Sequence, residues 1–456
     1  MTHMNLRELW IRIASRLSPV ILAVLCTPAV VSAQVVDLNN LDDYASQPVP
    51  PYITRDNTPL SNPITDAGAT LGRILFYDVR LSANDTVSCA SCHLQERGFG
   101  DDAVASVGVN GTTGRHSMRL VNARFADETN FFWDERAPSL ESQVTEPIRD
   151  HVEMGFSGEE GAPNMDDLLD KLAATAEYPA LFEFVFGDDA VTEERMQLAL
   201  AQFIRSIQSF DSRYDAGRAQ VPNDGVPFPN FSVAENNGKS LFLTPAQFNG
   251  AGQRIGGGVG CAACHRPPEF DISPFSRNNG LISSFSGEID IDVTRSPSLR
   301  DMLDSNGNAI AGLMHTSLGG PGASVDVVLG FYNSGIQTPP ANTNLDPRLT
   351  PNGNPQRLNL TPVEVNELNA FLRTLTGSNV YVDPKWASPF APDGSLTILG
   401  LPVFADLNGD GVVDTADLGI LIALFGRDDA IADLNDDGIV DTADLGIMIG
   451  RFGATM

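Results

Sequence analysis

Cys89-Ala90-Ser91-Cys92-His93 and Cys261-Ala262-Ala263-Cys264-His265 are two copies of one pattern, C-x-x-C-H, lying in different parts of a 456-residue chain. Two thiols separated by two residues can reach the two vinyl groups of one porphyrin as thioethers. The imidazole that follows turns under the ring to meet its iron. The pattern therefore reads as the attachment site of a covalently bound haem c, present twice. Redox dithiols and zinc sites also use C-x-x-C, but neither needs the histidine. His93 and His265 are the expected proximal iron ligands.

Of five cysteines in the chain, the one outside these motifs is Cys26, which falls in an N-terminal leader. There Arg7, Arg12 and Arg16 precede an apolar run from Pro19 to Val31, and Val31-Ser32-Ala33 meets the small-residue cleavage rule, so residues 1–33 read as a signal peptide. A lipoprotein reading of Cys26 is the rival; the bulky Leu25 before it argues against that. Export to the periplasm or the cell surface follows, and all mature thiols are then used for haem, with none left for a disulfide. No other apolar stretch is long enough to cross a bilayer. The length allows about three domains. Acidic residues outnumber basic ones 58 to 29, for a formal charge of -29, which argues against nucleic acid as a partner.

Around the motifs, Asn62-Pro63-Ile64-Thr65-Asp66, Leu71-Gly72-Arg73-Ile74-Leu75-Phe76-Tyr77-Asp78 and Leu81-Ser82 resemble the lead-in to the first haem of the bacterial di-haem cytochrome c peroxidase family, MauG branch included. Phe131-Phe132-Trp133-Asp134-Glu135-Arg136-Ala137 resembles that family's inter-haem segment, and the likeness runs over roughly residues 62–378. It implies a mainly α fold of two cytochrome c-like haem domains. The first, peroxidatic, spans 62–235 and the second, for electron transfer, 236–378, with an N-terminal extension at 34–61. The activity implied is reduction of hydrogen peroxide with electrons from a small redox protein, a cytochrome c or a copper protein. The alternatives are MauG-type oxidation of a protein or organic substrate, and a di-haem electron carrier without catalysis.

The resemblance also assigns roles. Trp133, which alone would read as a core aromatic, becomes an electron relay between the haems. Gln143, Pro147 and Glu153 follow it at the spacing of the family's peroxide pocket, which makes Glu153 the acid-base catalyst with Gln143 assisting. The distal histidine of the reductively activated peroxidases has no counterpart between His93 and His116, so the first haem is expected to be five-coordinate. His116 stands where relatives often carry an asparagine that helps bind calcium between the domains. Either it substitutes a structural position or it reaches the first haem after a loop rearrangement, and the inter-haem calcium stays open. At the second haem, Val327-Val328-Leu329-Gly330-Phe331-Tyr332-Asn333 resembles the stretch bearing the sixth ligand, and Tyr332 matches the tyrosine of the MauG branch. Met314, beside His315, and Met302 are the alternatives.

Met196, Leu200, Phe203, Ile204 and Ile207 recur at helical spacing, and Thr361-Pro362-Val363-Glu364 is a capping box with proline in the first turn. A Pro, Ser and Gly-rich stretch, 379–402, reads as a linker to a tail at 403–456 that repeats itself after 27 residues. Asp406, Asn408, Asp410, Asp414 and Asp417 with the Val412 carbonyl, and Asp433, Asn435, Asp437, Asp441 and Asp444 with the Ile439 carbonyl, fill the oxygen positions of two calcium loops. The terminal Asp, in place of Glu, resembles an EF-hand-like dockerin module of type I, with helices at Leu418 to Phe425 and Leu445 to Phe452; that likeness implies two calcium ions and a cohesin-like partner. Intact-mass measurement of the mature protein is expected to show two added porphyrins, and one after Cys261 and Cys264 are both changed to serine.

Overall fold

The computed structural model describes residues 35–453, apart from residues 128, 273, 296, 402–404, 430 and 436. The expected signal peptide, with Cys26, lies outside the described residues.

Two crossed helix pairs organise the molecule. Helix α1 (Asp66–Tyr77) starts at Thr65, whose hydroxyl accepts from the Gly68 amide, and α2 (Glu193–Ser206) starts at Thr192, whose side chain accepts from the Arg195 amide. The apolar residues expected at helical spacing, Met196 to Ile204, fall on α2 and are buried. The two helices cross so closely that a Cβ on Gly72 would stand 2.0 Å from the Ala199 carbonyl oxygen, an approach only glycine permits. The second pair repeats the device. Helix α3 (Val233–Leu243) crosses α4 (Pro362–Leu372) at Gly238, where a Cβ would stand 1.9 Å from the Glu367 carbonyl oxygen. The capping box expected at Thr361 and Glu364 opens α4, with Pro362 in its first turn. Helix α1 packs against the turn Cys89–Cys92, and α3 against Cys261–Ala263, so each crossed pair backs one C-x-x-C-H motif.

The strands are short and paired two by two. β1 (Val35–Asp37) is the far end of the N-terminal extension, and β2 (Val107–Gly108) with β3 (Gly111–Thr112) forms a tight antiparallel hairpin. β4 (Thr397–Leu399) lies parallel to β1. Three main hydrophobic cores result. The first runs from Val36 to Ile207 and also takes in Val380 and Trp386; the second runs from Tyr214 to Leu375, and the third from Ala405 to Met448. The first two cores thus divide between Ile207 and Tyr214, ahead of residue 235.

The stretch expected as a linker, 379–402, is in its described part a strap laid back over the first haem domain. Trp386 is 3% exposed, and its Nε1 donates to the Ser206 hydroxyl at 3.3 Å. Tyr77 donates to the Trp386 carbonyl at 2.7 Å, and Arg73 Nε to that of Ala387 at 2.7 Å. Composition marked this segment as loose; its few aromatic side chains found apolar burial that composition does not register. In the tail, α5 (Thr415–Leu424) and α6 (Thr442–Arg451) begin three residues earlier than expected, because Asp414 and Asp441 cap them. Among the described residues no helix is long and apolar enough to cross a membrane.

A side chain at either crossing has nowhere to go. Gly238→Val is expected to destabilise the second haem domain by about 1–3 kcal/mol, read as a lower denaturant midpoint with the first-haem absorbance unchanged.

Candidate haem sites and the wall between them

Each C-x-x-C-H motif forms a single helical turn, which brings cysteines at i and i+3 to one side. The four thiols are unpaired. Burial pushes Cys89 and Cys261 up to about 12, and Cys92 and Cys264 to about 11, so the unattached thiols are neutral.

The histidine of each motif is aimed by a carbonyl. His93 Nδ1 lies 3.0 Å from the Phe99 carbonyl oxygen, and His265 Nδ1 lies 3.3 Å from that of Phe270. A carbonyl only accepts, so Nδ1 carries the proton and Nε2 keeps its lone pair for a metal. Burial lowers both imidazoles, His265 to about 4, which keeps them neutral and able to ligate. Phe99 and Phe270 both hold the left-handed backbone, each at φ 57°, and this turns their carbonyls back toward the ring. Two thiols, one neutral imidazole and a fixed Nδ1 hydrogen bond at each motif are the donor set that covalent haem requires. Sequence reasoning passed over both phenylalanines, although a Phe six residues after His93 and five after His265 was a shared signal.

His93, Cys89 and Cys92 open onto a cavity of about 520 Å³. Trp133, Gln143, Pro147 and Glu153 line it as well, so the structure brings together all the residues expected at the first haem. Burial, helped by the Asp150 carboxylate, raises Glu153 to about 7, against the pull of Arg136. The Glu153 carboxylate has no hydrogen-bond partner among the described residues. Arg136, which spacing did not single out, stacks on Phe132 at 3.6 Å from its centroid. Glu269 is a further residue that spacing missed. It is 1% exposed, lines the same cavity, and is raised to about 7 by burial despite Arg300 beside it.

Trp133 lines this cavity and the second one. Its Nε1 donates to the His116 carbonyl at 2.7 Å, while its own carbonyl accepts from the Thr294 and Arg295 amides at 2.9 and 3.0 Å. Its ring meets His315 edge-on at 6.2 Å. His116 also lies in this wall, 2% exposed, its amide donating to the His315 carbonyl at 2.8 Å. Its imidazole occupies the space that a side chain at Gly312 would take.

The second cavity, of about 110 Å³, is smaller and is lined by Cys264, His265 and all three residues weighed at the sixth position, Tyr332, Met302 and Met314, and by His315 as well. Tyr332 sits on a π-helical turn, Phe331–Gly335, that prolongs the helix Asp326–Gly330. Its hydroxyl accepts from Asn279 Nδ2 at 3.3 Å, and burial raises its pKa well beyond the usual phenol value.

In the tail, Gly411 and Gly438 adopt the left-handed turn expected at the sixth loop position, φ 88° and 89°. The carboxylates hold backbone amides: Asp406 takes those of Gly409 and Gly411, and Asp417 those of Leu407, Asn408 and Asp414. Asp433 and Asp444 repeat this in the second loop. Among the described residues no three His, Cys, Asp or Glu side chains converge to hold a metal ion.

A family model described as di-haem cytochrome c peroxidase matches residues 66–220. The methylamine utilization protein MauG of Methylophilus methylotrophus is 27% identical over 350 residues, covering 74% of this chain and 89% of its own length. The cytochrome-c peroxidase IdrP1 of Denitromonas iodatirespirans is 27% identical over 386 residues, covering 76% and 90%. Among solved structures, a MauG-like protein associated with microbial copper homeostasis is 26% identical with a TM-score of 0.55, covering 75% of this chain and 98% of that one. Residues 66–220 thus match the di-haem cytochrome c peroxidase family, and the likeness to MauG and cytochrome-c peroxidase proteins extends over about three quarters of the chain.

Proposed function

We propose that the protein reduces hydrogen peroxide to two waters, using two protons and two electrons that a small cytochrome c or copper protein delivers outside the cytoplasm. The observation that carries the reading is the grouping of Glu153, Gln143 and His93 around one cavity whose wall, Trp133, is shared with the cavity of His265. Bound haem supplies the iron that takes peroxide and the oxidising equivalents that the reaction stores. The Glu153 carboxylate would accept a proton from one peroxide oxygen and return it to the other, so that water leaves rather than hydroxide. Gln143 orients the peroxide. Trp133 shortens the electron path from the second haem. The acidic chain attracts a basic donor protein.

Tyr332 is our choice for the sixth ligand of the second haem, supported by its place on the wall facing Cys264 and His265. For the tail we propose two calcium ions, one per loop, with Asp417 and Asp444 exchanging backbone amides for the cation, and docking of a cohesin-like partner. The left-handed Gly411 and Gly438 support this loop geometry. Calorimetry is expected to find calcium uptake that is lost in the paired variant Asp406→Ala, Asp433→Ala; no uptake by the unaltered protein would remove the proposal.

As a base Glu153 must be ionised, and its acid form dominates below about pH 7, so the rate of reaction with peroxide is expected to fall as pH drops through that value. Glu153→Gln is expected to lower the rate by about 10²–10⁴ and to abolish this pH limb, measured by stopped flow on protein carrying both haems. A variant with undiminished rate would reject the assignment.

A further inference from the structure

We propose that the hairpin β2–β3 is the positioning device for the Glu153 carboxyl, and that Gly108 is the residue that lets it act. The inference rests on the reading of Glu153 as the proton-transfer group. Glu153 sits in a turn rather than in a helix, so no helical hydrogen bonds hold it. Its main chain is gripped from two sides instead. On one side Asp150 Oδ1 accepts from the amides of Val152 and Glu153, at 2.8 and 3.0 Å. On the other, the hairpin takes three successive carbonyls. Val109 donates its amide to Glu153 at 2.9 Å, Asn110 its amide to Val152 at 3.2 Å, and Asn110 Nδ2 donates to His151 at 2.8 Å.

The carboxylate has no partner of its own among the described residues, so the direction of the side chain is inherited from this clamped backbone. The clamp depends on contact between main chains. A Cβ on Gly108 would stand 2.1 Å from the Val152 carbonyl oxygen and 2.8 Å from Glu153 Cα, so any side chain there drives hairpin and turn apart. The neighbouring Gly155, left-handed at φ 85°, closes the turn against Val109. Gly108 touches neither substrate nor iron in this scheme; it acts through Glu153. The segment is the one in which the resemblance to reductively activated peroxidases fails for want of a histidine. Here it holds the proton carrier.

The test compares Gly108→Ala, Asn110→Ala and Glu153→Gln, with Gly250→Ala as the control because a Cβ at Gly250, which lines neither cavity, meets no atom within 4 Å. All are full-length and verified by mass to carry two haems. The rate of reaction with hydrogen peroxide is measured across pH, together with thermal unfolding and haem absorbance. Gly108→Ala is expected to slow the reaction at least about tenfold and to move the pH of half-maximal rate from about 7 toward the ordinary carboxylate range, as the released side chain meets water. Asn110→Ala, which loses one exposed hydrogen bond, is expected to shift both in the same direction by less, and Gly250→Ala to match the unaltered protein. A lowered unfolding temperature with an unchanged pH profile in both hairpin variants would reduce the hairpin to scaffolding and overturn the proposal. Should Glu153→Gln react at full rate, the proton-transfer reading itself fails and the inference falls with it. Collapse in Glu153→Gln with no change in Gly108→Ala or Asn110→Ala refutes the hairpin alone.

Discussion

Two phenylalanines in the left-handed backbone region, each at φ 57°, turn their carbonyls onto the imidazoles that follow the paired cysteines. On this hydrogen bond depends which ring nitrogen is free, and therefore which way each histidine can offer a lone pair. A non-glycine residue held there costs on the order of 1–3 kcal/mol. Both rings are fully buried: Phe99 lies against Phe76, and Phe270 among Tyr214, Phe242 and Phe371. Burying a phenylalanine contributes about 1.5–3 kcal/mol, enough to offset the backbone strain. The same side chain that anchors each core thus holds its own carbonyl on the ligand.

The wall between the cavities is shared by the two haem domains. Trp133 is held by its indole to the first and by its carbonyl to the second. Arg115 bridges Asp134 of the first domain and Asp290 of the second, at 2.7 and 2.9 Å. Deeper in, Arg300 pairs with Asp215 at 2.9 Å, and Glu269 lies 3.5 Å away. Losing one partner of so buried a pair costs about 3–5 kcal/mol, far above the worth of a surface pair, and Glu269 of this cluster also accepts from Asn122 Nδ2 of the first domain at 3.1 Å, which holds the two domains at a set distance. A relay of electrons needs that distance to stay constant.

The cavities differ in their chemistry as well as in their size. The first has carboxyl groups at Glu153 and Glu269, both raised to about 7 by burial, and so carries groups that can exchange protons near neutrality. The second has the thioethers of Met302 and Met314, the imidazole of His315 and the neutral phenol of Tyr332 around His265, with Asp346 and Arg277 also in its lining.

What was readable in the chain were features written in neighbouring residues: C-x-x-C-H, the capping box at Thr361, and glycine at loop positions Gly411 and Gly438. Each is a local rule, in which residues a few positions apart fix one turn. Sequence did not disclose that the stretch after Gly377 is a strap on the first domain, that helices α5 and α6 begin at Thr415 and Thr442 behind the caps Asp414 and Asp441, or that Glu269 turns into the cavity of the other haem. Those depend on where a side chain finds apolar company or loses water, and such surroundings are assembled from residues hundreds of positions apart. The sequence by itself determined which groups could bind haem and move a proton; only the tertiary structure decided their protonation and direction, because burial and a clamped backbone exist only once the chain has closed around them.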